Sequence, residues 1–350
     1  MKIAVYAISK NEEHFVKRFC DSAKDADLIV IADTGSTDNT KQVAEKCGAK
    51  VYDIAVMPWR FDIARDTALT LIPKDFDICI SLDLDEVLEE GWRKEIERVW
   101  KSDTTRLRYQ FDWSSGISFY SEKIHHRHGY HWHHPVHEYP VYDKRIKEVY
   151  AHTDMLLVSH LPDSTKSRGQ YLDLLELAIE EDKHCPRNAF YYARELTFYQ
   201  KWLEAVVALN KYLAMPEAIW TNERCYAMRL LGKSYDALGQ NGLDWYRKAC
   251  KESPDIREPY VELAQSCYQK GLWQECYDSI KKALEIKDKV LVYTMNPESW
   301  GSLPHDLLAI SSYHLKKYEE AIDNGKIAVE LEPTNSRLIK NLEYYANTRT

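Results

Sequence analysis

The hydrophobic pattern of this 350-residue chain changes period once, near Tyr171, and that change limits the fold to two dissimilar halves in series. Before it, short apolar runs alternate with helical spacings, as a parallel-sheet α/β domain requires. Runs at 3–8, 28–32, 50–52 and 76–82 read as strands. Segments 11–23, 36–47 and 61–71 read as helices, the second with Ser36 or Thr37 as N-cap and Gly48 as its stop. After Tyr171 the pattern stays helical. Small residues and aromatics recur about every 34 residues: Leu263, Ala264, Tyr268 and Ala283, then Leu308, Ala309, Tyr313 and Ala328. A looser copy holds Leu231, Gly232, Tyr235 and Ala249, and a weaker one starts near Pro186. Small residues let paired helices cross and aromatics fill the gaps, so three or four pairs stack into an array. The expected division is an α/β domain over residues 1–170 and an all-α repeat domain over 171–350.

Charge and cysteine usage narrow the partners. Lys+Arg 47 against Asp+Glu 55 gives a net charge of −8, which leaves no general footprint for nucleic acid. No apolar stretch reaches the ~20 residues of a membrane helix. The opening segment breaks at Lys10 and reads as a strand, not a signal peptide. The eight cysteines are scattered without a CxxC pair, which fits reduced thiols and a cytoplasmic setting.

Chemistry-bearing residues collect after strand ends, where open α/β sheets bind ligands. Asp83-Leu84-Asp85-Glu86 follows the apolar run 78–82. Carboxylates at i and i+2 turn to one side once a strand stops, and hard oxygens suit Mg²⁺ or Mn²⁺ on a nucleoside diphosphate. Taken alone, such a motif is as often a solvated loop. Ser9-Lys10-Asn11-Glu12-Glu13 and Asp33-Thr34-Gly35-Ser36-Thr37-Asp38 follow the first two strands. A carboxylate such as Asp33 accepts hydrogen bonds from a base or ribose, and Gly35 lets backbone approach closely. Either segment alone is also an ordinary helix start. Seven histidines lie between His125 and His137. No Cys or Asp stands among them and adjacent ones face opposite sides of a strand, so no dedicated zinc site is expected.

Together, Ser9 to Glu13, the run Asp33-Thr34-Gly35-Ser36-Thr37-Asp38-Asn39-Thr40, Phe61-Asp62-Ile63-Ala64-Arg65-Asp66 and Leu82-Asp83-Leu84-Asp85-Glu86 resemble family 2 glycosyltransferases of the GT-A fold, a Rossmann-like nucleotide-sugar-binding domain. The resemblance spans roughly residues 1–170, and the second half resembles tetratricopeptide (TPR) repeats. It implies that Ser9 and Glu12 line the nucleotide site, Asp33 meets the base or ribose, Arg65 lies near the diphosphate and Asp83 near the ribose. It also implies Asp85 and His160 as ligands of Mn²⁺ or Mg²⁺, with Lys166 and Arg168 closing over the phosphates. Val136-His137-Glu138 resembles a His-Glu pair facing the acceptor, with Glu138 as general base for an inverting transfer. Asp66 departs from the family, which commonly has Asn there; a second acid beside phosphate is unfavourable, so Asp66 is expected to point elsewhere.

The activity implied is metal-dependent transfer of a sugar from a nucleotide-sugar donor, a UDP-sugar favoured, to a hydroxyl, thiol or glycan. The acceptor is a protein, peptide or glycan held by the repeats, which are equally suited to form a homodimer. Two alternatives stay open: a nucleotidyltransferase on a similar scaffold, and a decayed enzyme serving as a binding scaffold.

Overall fold

Strand β1 (Ile3–Ser9) is buried along its whole length, which only a strand covered on both faces can be. Its neighbours β2 (Leu28–Asp33), β3 (Lys50–Asp53) and β4 (Ile78–Ser81) run parallel in the order β3-β2-β1-β4. Helices α1 (Glu13–Ser22), α2 (Thr40–Lys46) and α3 (Phe61–Thr70) make the connections. The chain moves outward from β1 to β3 and then returns to the other side of β1. That reversal opens a crevice at the strand C-termini between β1 and β4.

Beyond β4 the sheet becomes mixed. It is completed by β5 (Glu86–Leu88), β6 (Arg106–Asp112), β7 (Ser118–His126) and β10 (Tyr150–His160), in the order β4-β7-β6-β10-β5. Helix α4 (Trp92–Val99) precedes β6, and a ribbon of β8 (Tyr130–His133) and β9 (Tyr139–Tyr142) packs beside α3. One core cluster joins Ile3, Val5, Phe19, Ile80, Leu107 and Val158; a second joins Tyr6, Val30, Ala68 and Trp132. The structure, a computed structural model, describes residues 1–113, 116–143, 145, 147–162, 169 and 171–347.

The chain divides into two compact units: 1–180 with 291–293, and 181–290 with 294–350. Helix α5 (Tyr171–Glu181) therefore belongs almost wholly to the sheet-containing unit. The second unit is helical. Its pairs are α6 (Pro186–Phe198) with α7 (Trp202–Leu213), α8 (Thr221–Ala237) with α9 (Leu243–Glu252), α10 (Glu258–Gln269) with α11 (Trp273–Glu285), and α12 (Leu303–His314) with α13 (Tyr318–Leu331). Helix α14 (Ser336–Asn347) follows. Gly242, at the entry to α9, lies against the backbone of Gly232 in α8. A methyl added at Gly242 would stand 2.1 Å from the Gly232 carbonyl oxygen, so only glycine fits.

One local expectation is corrected. Helix α2 begins at Thr40, not beside Ser36 or Thr37. Ser36 is consumed in closing a turn on Asp33, and Asp38 Oδ1 accepts the Thr40 N–H at 3.0 Å. Among the described residues no helix is long and apolar enough to cross a membrane.

Candidate functional site

The loops after β1 and β2 are laced together. Asn11 N–H donates to Ser36 Oγ at 2.8 Å, Thr37 N–H to Asn11 Oδ1 at 2.7 Å, and Glu12 N–H to Thr40 Oγ1 at 2.7 Å. Asp33 is the knot. Its carboxylate accepts from Ser9 Oγ at 2.9 Å, Gly35 N at 3.0 Å, Ser36 N at 2.8 Å and Ser36 Oγ at 2.5 Å. Burial alone would push the Asp33 carboxyl up; the bonds from Ser36, Ser9 and Gly35 outweigh it and hold the group below the usual carboxylate range. Gly35 adopts φ +101°, the left-handed region this tight loop needs. Ser9, Glu12 and Asp33 thus shape one rigid loop pair, with all four acceptor directions of Asp33 already used.

Across the crevice, α3 delivers Arg65. The guanidinium donates from Nη2 to Asp83 Oδ1 at 2.6 Å, from Nη1 to Ser81 Oγ at 3.2 Å, and from Nε to Glu138 Oε1. It also lies 4.9 Å from the centroid of the Trp132 ring. Burial disfavours its charge, but Asp83 and Glu138 more than restore it. Trp132 Nε1–H donates to Tyr6 Oη at 2.9 Å, and Tyr6 Oη lies 3.1 Å from His125 Nε2. His125 Nδ1 faces the His126 carbonyl oxygen at 2.8 Å. A carbonyl only accepts, so Nδ1 carries the proton and Nε2 accepts from Tyr6, which makes His125 neutral. Burial lowers its pKa to about 3. A polar chain through the core therefore backs Trp132, and Trp132 backs Arg65.

The departure at Asp66 has a structural use. Asp66 Oδ1 accepts the Trp132 N–H at 2.7 Å, fastening β8 to α3 and turning the carboxylate to the ribbon, as expected. The Phe61 N–H donates to the Pro135 carbonyl at 3.0 Å, tying the same helix to the His-rich loop. His137 and Glu138 leave that loop, His137 with φ +53°.

Asp85 and His160 meet on the other side of the strand-end turn. His160 closes β10 opposite Glu86, and Leu161 N–H donates to the Asp85 carbonyl at 2.8 Å. Asp85 Oδ2 and His160 Nε2 are 3.5 Å apart. Divalent-metal ligand distances of ~2.1 Å place neighbouring ligands roughly 3–3.5 Å apart, so the pair fits one cation. A carboxylate oxygen beside an imidazole nitrogen suits Mn²⁺ better than the harder Mg²⁺, which prefers oxygen ligands alone. His160 Nδ1 is buried with no hydrogen-bond partner among the described residues, and Trp113 stacks on the ring at 4.2 Å. Among the described residues no cluster of three or more His, Cys, Asp and Glu stands ready to hold a metal alone. Lys166 and Arg168 lie outside the described residues.

Two residues had no role in the sequence reading. Lys123 Nζ stands 3.1 Å from Glu86 Oε1 and 3.7 Å from Asp83 Oδ2. Burial would lower its pKa, but Glu86 and Asp83 outweigh that and raise it. Burial raises the Glu86 carboxyl, opposed by Lys123. Arg65 and Lys123 between them hold Asp83, Glu86 and Glu138. Of the aromatic residues suited to stacking on a sugar, Trp132 and Tyr130 are buried and Trp59 packs on Phe61; Trp113 alone among these four is as much as 43% exposed.

Residues 5–157 match the family model described as Glycosyl transferase family 2. An uncharacterized glycosyltransferase of Rickettsia bellii is 35% identical over 102 residues, 29% of this chain and 33% of that protein. One from Rickettsia conorii is 35% identical over 103 residues, 29% of this chain and 35% of its own length. The chain thus spans about a third of the curated relatives it matches. Among solved structures, YrrB, a TPR protein with an unusual peptide-binding site, covers 50% of the chain at 14% identity and a TM-score of 0.41, with 83% of its own length covered. A thermophilic TPR protein of Thermus thermophilus covers 51% at 17% identity and a TM-score of 0.36, with 92% of its length covered.

Proposed function

From the match of residues 5–157 to the glycosyl transferase family 2 model, we propose that the chain moves a sugar from a nucleoside diphosphate donor, UDP-sugar first among them, to an acceptor hydroxyl, thiol or glycan. The observation that carries this is the crevice itself: Asp33 at the end of β2 and Asp83 and Asp85 just past β4, with Arg65 clamped between Asp83 and Glu138. Strand spacing of ~4.8 Å sets β2 and β4 about 10 Å apart across β1, room for a nucleoside along the strand tips. The Ser9–Glu12 and Asp33–Ser36 loops hold the base and ribose end through a shape fixed before binding. Arg65 offsets charge on the diphosphate as it departs. Asp85 and His160 would hold Mn²⁺ or Mg²⁺, which when bound supplies Lewis-acid charge at the phosphates. Lys166 and Arg168 are proposed as additional phosphate partners.

In the displacement, an acceptor lone pair forms the new bond to the anomeric carbon. The bond from that carbon to the diphosphate oxygen breaks, and its electron pair leaves with the nucleoside diphosphate. Attack from the opposite face inverts the anomeric centre, and the acceptor proton passes to Glu138 as general base, beside His137. The Arg65–Glu138 contact favours a second reading, in which Glu138 orients Arg65. Glu138→Gln separates the two: a base role lowers kcat with nucleotide affinity unchanged, a positioning role raises the nucleotide Kd. The helical unit is the proposed place for acceptor binding or self-association, with Leu203, Val207 and Ile219 leaving apolar surface exposed. The buried, unbridged thiols of Cys20, Cys79, Cys225, Cys250, Cys267 and Cys276 support a cytoplasmic setting.

The test is a donor screen: hydrolysis of UDP-, GDP-, CDP- and dTDP-sugars with Mn²⁺ and no acceptor, wild type beside Asp85→Ala. Release of nucleoside diphosphate from one donor, lost in the variant, is expected. Release of pyrophosphate in place of nucleoside diphosphate points to nucleotidyl transfer and overturns the reading.

A further inference from the structure

Strand β7 is irregular at one point. Leu107 of β6 pairs with Ile124 and Tyr109 with Ser121, so Glu122 and Lys123 together oppose the single residue Arg108. This is a β-bulge, a device that re-aims a side chain near strand ends and sites. Here the re-aimed side chain is Lys123. It passes 5.9 Å from the Phe111 ring centroid and ends between Glu86 and Asp83. Glu86 in turn shapes the turn that carries both functional aspartates: its Oε2 accepts the Asp83 N–H at 3.0 Å, and its own N–H donates to the Asp83 carbonyl at 2.9 Å. Asp83 is gripped from two sides, Oδ1 by Arg65 of α3 and Oδ2 by Lys123 of β7.

We propose that Lys123 is a positioning residue for the nucleotide: through Glu86 and Asp83 Oδ2 it fixes the Asp83-Leu84-Asp85 turn in its binding geometry. The proposal rests on the donor reading above and deepens it. A charge placed only to balance a buried acid would need one partner; Lys123 divides between the acid that builds the turn and the acid that the turn presents. Asp83 is thereby committed to two cations, which leaves Asp85 as the carboxylate directed to the metal with His160. Loss of such a supporting contact weakens ligand affinity about 10–100-fold.

The experiment compares Lys123→Met, which keeps the stem and removes the charge, with Lys123→Arg, Glu86→Gln and the double variant Lys123→Met/Glu86→Gln. UDP, GDP, CDP and ADP are titrated with Mn²⁺ by calorimetry, and melting temperatures are taken without ligand. Lys123→Met is expected to raise the Kd of the nucleotide that wild type binds by about 10-fold or more. In the Glu86→Gln background the same change is expected to add less than about 3-fold, because the shorter of its two links to the turn is already gone. Lys123→Arg is expected to fall between wild type and Lys123→Met. Folded Lys123→Met with a Kd within twofold of wild type overturns the proposal; should that variant not fold, an unchanged Kd in Lys123→Arg does so. Binding of no nucleotide by wild type sinks the donor reading alone. The ligand-free melting cycle then still decides: additive effects at Lys123 and Glu86 overturn the link, and coupled effects support it.

Discussion

Replacing Arg65 with Met tests the crevice at its most connected residue. The guanidinium is 4% exposed and Glu138 9%, so the variant strands a carboxylate almost out of water, at about 3 kcal/mol. Asp83 is 39% exposed and keeps Lys123, so solvent screening holds its share below ~1 kcal/mol. Loss of the seat over Trp132 adds about 0.5 kcal/mol. Met fills most of the arginine stem, so little cavity cost is expected. The sheet-containing unit should lose about 4 kcal/mol in all, a large part of the stability of an ordinary domain. Two units need not unfold together, so hydrogen exchange resolved to peptides of β1, β4 and α3 reads the loss where it occurs. Arg65→Met/Glu138→Gln removes the stranded charge and should return about 2–3 kcal/mol. A loss below ~1 kcal/mol in the single variant, or no recovery in the double, refutes the reasoning that a buried ion pair organises this crevice.

Three further outcomes follow from the same geometry. The pKa of His125 is depressed from the usual 6.5 to about 3, so its contribution is fully present above pH 6.5 and is lost as pH falls toward 3. The unfolded chain takes the proton first, at about 1.4 kcal/mol per pH unit, so wild type should lose roughly 2 kcal/mol more than His125→Gln between pH 7 and pH 5 in urea titrations; parallel curves contradict this. Gly242→Ala drives a methyl into the Gly232 carbonyl and should cost about 2–3 kcal/mol, read as a lower melting temperature of the helical unit with nucleotide affinity unchanged. Trp113→Ala removes the ring stacked on His160 and should weaken Mn²⁺-dependent nucleotide binding about 10-fold while leaving the melting temperature within ~2 °C; an unchanged affinity removes Trp113 from the site.

Much of the sheet's parallel half was legible because its signals are local. Buried strands ending in Ser9, Asp33 and Ser81 needed no tertiary knowledge, and the ordered motifs told where the loops converge. The helical pairs were legible for a like reason: the recurring small residues Ala264, Ala283, Ala309 and Ala328 are all buried between packed helices. Lys123 was not legible, because a bulge changes the alternation by which a strand's two faces are told apart. Ser36 misled as a cap because its hydroxyl and N–H serve Asp33, a choice that depends on which loop Asp33 has to close. His125 looked like one histidine in a run of seven. Its neutral state comes from burial, and its Nε2 partner is Tyr6, far away in sequence, which no spacing rule reports.

In the proposed function, the strand-end acids and cations form a metal-dependent nucleoside diphosphate site. Calorimetric titration of UDP, GDP, CDP and ADP into the full chain, with and without Mn²⁺, for wild type and Asp85→Ala, measures this directly. One nucleotide is expected to bind wild type with a heat that requires Mn²⁺, and Asp85→Ala is expected to abolish the metal requirement together with most of the affinity. Nucleotide binding of equal strength with and without Mn²⁺, or retained in full by Asp85→Ala, contradicts it.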